Sequence, residues 1–173
     1  MEFKRKSHRL DPREYIGEKW SFVTMCCEHC KPVFLDGNRA RWITEVLRAE
    51  ALLHQFIVDA YCVMPDHLHF LAFGKAPTSN LLVLAKSFKQ KTGYIGQKET
   101  SVRLWQKNYY DHALRANEES NGVAAYIWMN PVRKELCKNF EDYPFSGSFT
   151  RPWKTAPQVA AWSPPWKKPQ MPA

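Results

Sequence analysis

Two histidines separated by a single residue stand near the middle of the chain. His67 and His69 follow a Pro65-Asp66 pair, and an apolar run continues to Phe73. Proline presets φ and aspartate tolerates turn geometry, so the pair predicts a turn leading into a strand. Side chains two apart on a strand share a face, which places these Cα atoms about 6.5–7 Å apart. Two imidazoles at that separation can bind one metal ion; the alternative is two histidines on a half-exposed strand.

A tyrosine and an asparagine lie four residues apart in a later segment, predicted to be a helix over 118–130. Pro131 ends this segment because proline disfavours helical geometry in the residue before it. Tyr126 and Asn130 share one helix face. A phenol can attack a phosphodiester that a metal ion polarises, and Asn130 offers an oxygen beside two imidazoles. This mixed nitrogen and oxygen set suits Mg²⁺ or Mn²⁺. The alternative is an amphipathic-helix tyrosine and a helix-capping asparagine.

The charge of the chain indicates the kind of partner. Its 173 residues carry a net charge of +8, which favours a polyanion, with nucleic acid first and an anionic membrane surface second. Seven Lys/Arg against two acids give the 86–115 segment +5 of that charge. Its lysines contact phosphates or face solvent, and its aromatic residues stack on unpaired bases or pack in the sheet. The predicted DNA-binding residues are Lys86, Lys89, Lys91, Arg103, Trp105, Lys107, Tyr109, Tyr110 and Arg115.

Hydrophobic patterns and turn residues predict the elements that position these side chains. The predicted strands are 20–26, 57–64, 67–73 and 101–110, and the predicted helices are 39–55 (capped by Asn38), 81–92 (ended at Gly93 and Gly96) and 118–130. This order is typical of an α+β, ferredoxin-like or RRM-like fold, with an antiparallel sheet and helices on one face. The tyrosine-bearing helix and a Pro-rich tail complete it. The open sheet face can carry a site.

Composition divides the chain into a basic arm over 1–19, one domain over 20–150 and a Pro- and Trp-rich extension over 151–173. The first residues lack an apolar signal segment and no apolar run has membrane length, which predicts a cytoplasmic protein without a membrane partner. Its five cysteines are then expected to be reduced. Cys27 and Cys30 form a C-x2-C pair, but ordinary thiols are favoured over zinc because no second ligand pair is evident.

Several segments resemble one known family. His67-Leu68-His69 after the Pro-Asp turn resembles the HUH motif, histidine-hydrophobe-histidine. Segment 126–132 (YIWMNPV) is similar to the tyrosine helix of the single-tyrosine HUH transposases. Segments 105–112 (WQKNYYDH) and 142–146 (DYPFS) resemble, more closely, the REP-associated tyrosine transposases. The resemblance covers about residues 20–148.

This resemblance implies a metal-dependent single-strand DNA endonuclease and strand transferase. His67, His69 and Asn130 would bind the divalent ion, and Tyr126 would attack the DNA to form a 5′-phosphotyrosine and a free 3′-OH. In the family a palindromic hairpin marks the DNA. Relatives that exchange the tyrosine helix act as homodimers, whereas the REP-associated type can place its tyrosine in cis as a monomer.

Other readings of the same residues stay open. Tyr109 and Tyr110 are rival nucleophiles, and Asp111-His112 is a rival metal pair. A non-catalytic nucleic-acid-binding module would need the basic and aromatic residues alone, and EDTA would not affect it. A small metal-dependent hydrolase, with a merely structural Tyr126, would turn over without forming a covalent adduct.

Overall fold

The described part of the molecule, residues 11–100, 103–152 and 162–165 of a computed structural model, is built on a five-stranded antiparallel sheet. The strands are β1 (Trp20–Cys26), β2 (Phe56–Met64), β3 (His67–Gly74), β4 (Tyr110–Ala113) and β5 (Ser146–Gly147), in the order β4-β1-β3-β2-β5. The helices are α1 (Gly37–Leu53), α2 (Leu81–Thr100), α3 (Ser120–Trp128) and α4 (Asn130–Arg133). More than half of the predicted basic arm and most of the predicted extension lie outside the described residues.

β3 is the central strand of this sheet. The predicted turn at Pro65-Asp66 joins it to β2, so that His67 lies opposite Met64. On its other side β3 pairs with β1, and there His67 lies opposite Cys26. β3 therefore has a hydrogen-bonded neighbour along each edge, and its pairing with each neighbour fixes its register.

Both faces of β3 are buried, because side chains alternate along a strand. Leu68 and Phe70 pack with α1 and α2 in one core. Leu71 points the other way and packs with Trp128 of α3 in a second core. The α+β antiparallel fold is confirmed, and α1 and α2 share one face as predicted, whereas α3 covers the opposite face. No helix in the described ranges has the length and apolar content needed to cross a membrane.

The predicted start of α1 is wrong by two residues. The helix begins at Gly37, and Asp36 rather than Asn38 is its cap, because the Asp36 carboxylate accepts a hydrogen bond from the Asn38 N–H at 2.9 Å. At the other end, Gln55 has a positive φ of 60° just beyond the helix. This left-handed residue is a common helix terminator and releases the chain into β2.

Buried Trp105 explains why the predicted end of α2 and the predicted strand 101–110 are wrong. Its indole N–H donates to the Thr92 hydroxyl at 2.7 Å, which anchors α2 just where the prediction ended it. A single glycine costs a helix only about 1 kcal/mol, so α2 continues past Gly93. Residues 101–102 lie outside the described residues, and 103–109 form a loop with a single bridge between Trp105 and Cys27. β4 starts only at Tyr110.

A buried carboxylate joins α1 to α2. Glu50 is 1% exposed, forms an ion pair with Lys91 and accepts a hydrogen bond from Ser87 Oγ at 2.5 Å. His54 Nε2 lies 3.4 Å from the same carboxylate. Burial opposes ionisation of Glu50, but the hydrogen bonds from Lys91 and Ser87 outweigh it and lower its pKa. This carboxylate is therefore charged and holds the two helices together.

We expect Glu50→Ala to lower the free energy of unfolding by about 2 kcal/mol, because it removes the ion-pair partner of Lys91 and the hydrogen-bond acceptor of Ser87. Urea unfolding followed by circular dichroism measures this. Glu45→Ala, at an exposed acid of the same helix, is the matched control and should stay within about 0.5 kcal/mol of wild type. Equal effects of the two variants would contradict the role assigned to Glu50.

Candidate functional site

His67 and His69 converge on the sheet face that α3 covers. Their Nε2 atoms are 3.0 Å apart. The Nδ1 atom of His67 lies 2.5 Å from a carboxylate oxygen of Asp66, and the Nδ1 atom of His69 lies 2.7 Å from the Thr24 hydroxyl. Each imidazole is thus held at its outer nitrogen, which is how proteins usually orient histidines that bind metals.

The surroundings of His69 fix its protonation state. Burial, reinforced by the charges of His67 and Arg133, holds the pKa of His69 well below its usual value. The ring is therefore neutral near pH 7, and when Nδ1 donates to Thr24, Nε2 carries a lone pair. When His67 donates from Nδ1 to Asp66, its Nε2 atom also offers a lone pair. The two Nε2 atoms are 3.0 Å apart. This matches two neighbouring ligand atoms of an octahedral ion, because two bonds of about 2.1 Å at right angles place their ligand atoms about 3.0 Å apart.

The two imidazoles do not make a complete metal site by themselves. Within the described residues, no group of three or more His, Cys, Asp or Glu side chains could hold a metal ion. All five cysteines are free, and burial raises the pKa of Cys26 to about 12, so this thiol is protonated. Among the described residues, an amide oxygen is a further ligand compatible with this finding, beside water or a bound substrate.

Pro131 shapes the helical segment that carries Asn130. Because proline has no N–H, the Ile127 carbonyl lacks its usual partner four residues on. The Asn130 Nδ2 atom donates to this carbonyl at 3.3 Å and to the Tyr126 carbonyl at 3.2 Å. The chain passes Met129 and continues as α4, so the predicted helix end at Pro131 is wrong. Both hydrogen bonds that the structure gives Asn130 go to its own helix, and its role as third ligand stays a prediction.

Tyr126 and the histidine pair meet at Phe22. The Phe22 ring centroid lies 5.5 Å from that of His69 and 6.2 Å from that of Tyr126. Trp162, from the predicted extension, packs on Tyr126 with ring centroids 5.1 Å apart. The Arg133 guanidinium lies 4.1 Å from the Tyr126 ring centroid. Burial raises the pKa of the Tyr126 phenol, and the charge and hydrogen bonding of Arg133 oppose that rise.

One of the rival residues shares a neighbour with Tyr126, and the others do not. Tyr110 also approaches Phe22, at 6.4 Å between ring centroids, and burial raises the pKa of its phenol well above the usual range. Tyr109 lies on the α2 side of the sheet, with Lys89 Nζ 5.6 Å from its ring centroid. His112, of the rival metal pair, lies 2.7 Å from Glu118 through its Nε2 atom. Two tyrosines, Tyr126 and Tyr110, therefore border Phe22 on the histidine face.

A basic cavity of about 690 Å³ opens on the α2 side. Six of the nine predicted DNA-binding residues line it: Lys86, Lys89, Arg103, Trp105, Lys107 and Tyr109. Lys89 donates to the carbonyl oxygens of Gln106 and Lys107 at 2.7 and 2.9 Å, which ties the 103–109 loop to α2. Trp105 is 2% exposed and forms part of the cavity wall.

The other three predicted DNA-binding residues lie elsewhere. Lys91 pairs with Glu50, Tyr110 borders Phe22, and the Arg115 N–H donates to Glu118 at 2.8 Å. DNA contact by all nine residues stays a prediction.

A known protein family matches the part of the chain that carries these site residues. A family model described as Transposase IS200 like matches residues 20–130. The chain belongs to the IS200-like transposase family. The match spans β1 to β4, α3 and the first residue of α4, and so includes both histidines, Tyr126 and Asn130.

Individual relatives of this IS200-like transposase confirm the resemblance to REP-associated tyrosine transposases. One from Escherichia coli (strain K12) is 32% identical over 94 residues, which cover 53% of each chain. A putative one from Haemophilus influenzae is 25% identical over 164 residues, covering 87% of this chain and 76% of that protein. The solved structure of a REP-associated tyrosine transposase bound to a REP hairpin has a TM-score of 0.62 at 18% identity, covering 84% and 82%. This likeness confirms the fold.

Sequence reasoning missed the residues that hold the site of this transposase in place. Asp66 was assigned only to the turn, although it directly precedes His67. Thr24 has no local signal, because its contact with His69 depends on strand pairing. Arg133 follows Tyr126 by seven residues, and this two-turn helical spacing could have revealed it.

We expect the stability of the metal-free transposase to fall as the pH drops below about 6.5, because unfolding lets His69 take up a proton that the folded protein resists. This contribution is present above the unfolded pKa and is lost as the pH falls toward the lower folded pKa. Its slope is at most about 1.4 kcal/mol per pH unit. Urea unfolding in EDTA between pH 7.5 and 5 measures it.

His69→Gln should flatten that slope. The matched control is His29→Gln, because the His29 side chain is 77% exposed and should contribute nothing to it. A slope that persists unchanged in His69→Gln would contradict the assignment.

Proposed function

We propose that this IS200-like transposase is a metal-dependent single-strand DNA endonuclease and strand transferase that acts at hairpin elements. The observation that carries the proposal is the meeting of two convergent imidazoles and a helix-borne tyrosine around Phe22 on one sheet face. The solved relative named as bound to a REP hairpin supports a hairpin as the substrate.

Tyr126 is the nucleophile in this proposal. Its phenol oxygen attacks a backbone phosphorus, the P–O3′ bond breaks, and the phenol proton passes to the leaving oxygen. The products are a 3′-OH and a 5′-phosphotyrosine. In the reverse direction a different 3′-OH attacks, the bond between phosphorus and Tyr126 breaks, and the proton returns to the phenol. One phosphate ester replaces another in each step, so no external energy source is needed.

His67, His69 and Asn130 are the proposed ligands of Mg²⁺ or Mn²⁺. Such an ion, when bound, would neutralise charge on the attacked phosphate. Asp66 and Thr24 keep the Nδ1 protons in place, so both Nε2 lone pairs stay available. The depressed pKa of His69 supports this role, because a neutral ring can bind without first losing a proton.

The basic cavity is the proposed path of the DNA backbone. Lys86, Arg103 and Lys107 are exposed at its edge, and Tyr109 is half-buried and suited to stacking on a base. The chain then runs from the cavity into β4, where Tyr110 borders Phe22. DNA that follows this edge of the sheet reaches Tyr126.

We propose that the protein is cytoplasmic. Because α3 packs on the sheet of its own chain, we propose a monomer that acts in cis, with a homodimer as the alternative.

Metal-dependent formation of a covalent adduct is the first expected result. Labelled single-stranded hairpins from palindromes flanking the gene are incubated with protein and Mn²⁺ or Mg²⁺ and run on a denaturing gel. We expect a protein–DNA band that EDTA, Tyr126→Phe and His67→Ala each abolish, because each removes the ion, the nucleophile or a ligand.

Tyr109→Phe and Tyr110→Phe are the matched controls, and both should still form the band. A band that survives Tyr126→Phe but not Tyr110→Phe would move the nucleophile to β4. Hairpin binding with no adduct and no cleavage would favour a non-catalytic DNA-binding module, and cleavage without an adduct would favour a hydrolase.

The cavity should contribute to DNA affinity through phosphate contacts. We expect Lys86→Ala and Lys107→Ala each to reduce the slope of log Kd against log salt by about 1, because each removes one phosphate contact. Fluorescence anisotropy at several salt concentrations measures this. Lys75→Ala, at an exposed lysine beyond the far end of β3, is the control and should leave the slope unchanged. Unchanged slopes in the cavity variants would exclude the cavity as the DNA path.

A further inference from the structure

Arg133 lies against the proposed nucleophile, and the part of the chain that the structure describes gives it no acidic partner. Its Nη2 atom donates to the Tyr126 backbone carbonyl at 2.6 Å, and its guanidinium carbon lies 4.1 Å from the Tyr126 ring centroid. Arg133 is solvent-exposed, and no carboxylate among the described residues forms an ion pair with it. A guanidinium has five N–H donors, and its hydrogen bonds to the carbonyl and side chain of Tyr126 occupy only some of them. The cation is held in place and still has donors for an anion.

The helix fixes where this cation points. Tyr126, Asn130 and Arg133 stand at positions i, i+4 and i+7, which share one helical face. The helical hydrogen bonds continue through the junction between α3 and α4, because the Arg133 N–H donates to the Met129 carbonyl at 3.0 Å. The nucleophile, the proposed third ligand and the cation are therefore presented by one continuous face.

Arg133 places a positive charge near the histidines. The positive charge of Arg133 acts on His69 and contributes to lowering the pKa of that imidazole. A divalent ion at the histidines would add to the positive charge there. An anion bound between Arg133 and the histidines would relieve the repulsion, and the backbone phosphate of DNA is the anion that the proposed reaction brings to this place.

We propose that Arg133 binds the phosphodiester that Tyr126 attacks, with its planar fork on the non-bridging oxygens. Guanidinium groups bind phosphates through paired hydrogen bonds, and a lysine cannot reproduce that geometry. Arg133 transfers no proton and forms no covalent bond; it stabilises charge on the phosphate while the bond to Tyr126 forms. This inference rests on the proposed function.

The first test is the rate of adduct formation in a single turnover at saturating hairpin DNA. We expect Arg133→Ala to lower this rate by about 100-fold, the usual scale for losing one donor to a reacting oxyanion. Arg133→Lys keeps the charge but loses the fork, and we expect a loss of about 10-fold. Lys134→Ala, which removes the neighbouring exposed lysine, is the matched control and should stay within about twofold of wild type.

Two further measurements separate phosphate binding from a structural role. Millimolar guanidinium should partly restore adduct formation to Arg133→Ala and not to Tyr126→Phe. In the Tyr126→Phe background, a methylphosphonate at the cleaved position should weaken hairpin binding when Arg133 is present and have little further effect in Arg133→Ala, because the two changes remove the same contact.

Additive losses, or a wild-type rate in Arg133→Ala, would overturn the assignment while leaving the proposed function intact. Failure of wild type to form an adduct with any hairpin would overturn the proposed function, and this inference with it. Circular dichroism melting of each variant identifies any loss of rate that comes from unfolding. If Arg133→Ala is unfolded, Arg133→Lys carries the same test through its rate and its response to methylphosphonate.

Discussion

The central strand β3 packs against α1 and α2 on one face and against α3 on the other, and the site depends on this constraint. Leu68 and Phe70 are buried against α1 and α2, while His67, His69 and Leu71 face α3. A register slip of one residue would exchange the two sets and bury both imidazoles in the apolar core. The buried apolar residues of β3 make such a slip costly, and they therefore also determine the face on which the histidines lie.

The layer that covers the histidine face has opposite effects on the two halves of the site. Burial keeps His69 neutral, which suits an imidazole that binds a cation. The same burial raises the pKa of the Tyr126 phenol, which makes the proposed nucleophile harder to ionise. A cation beside the tyrosine opposes the second effect with a smaller cost to the first, because His69 is already neutral. Arg133 supplies such a cation, because its guanidinium lies against the Tyr126 ring.

Periodicity within single elements could be read from the sequence, and contacts between elements could not. Aromatic, β-branched and apolar runs predicted β1 to β3, strand alternation put His67 and His69 on one face, and helical spacing placed Tyr126 and Asn130 together. The face of the sheet on which α3 packs has no signal in its own residues. The C-terminal half of α2 is joined to the loop before β4 by the hydrogen bond between Trp105 and Thr92, whose partners are 13 residues apart. The hydroxyl behind His69 comes from Thr24, which only the pairing of β1 with β3 brings close.

Because of Pro131, the tyrosine half of the site is held by hydrogen bonds between residues that are close in sequence. It removes the N–H that would bond the Ile127 carbonyl, and the Asn130 amide takes that place while also reaching the Tyr126 carbonyl. Arg133 donates to the same Tyr126 carbonyl. The proposed nucleophile, the proposed third ligand and the cation are thus tied together by hydrogen bonds within eight residues. The histidines belong to the sheet, and the two halves meet through the ring of Phe22. The distance between Tyr126 and the two imidazoles is therefore set by how α3 packs on the sheet, so the apolar contacts of α3 determine the geometry of the proposed site as well as its stability.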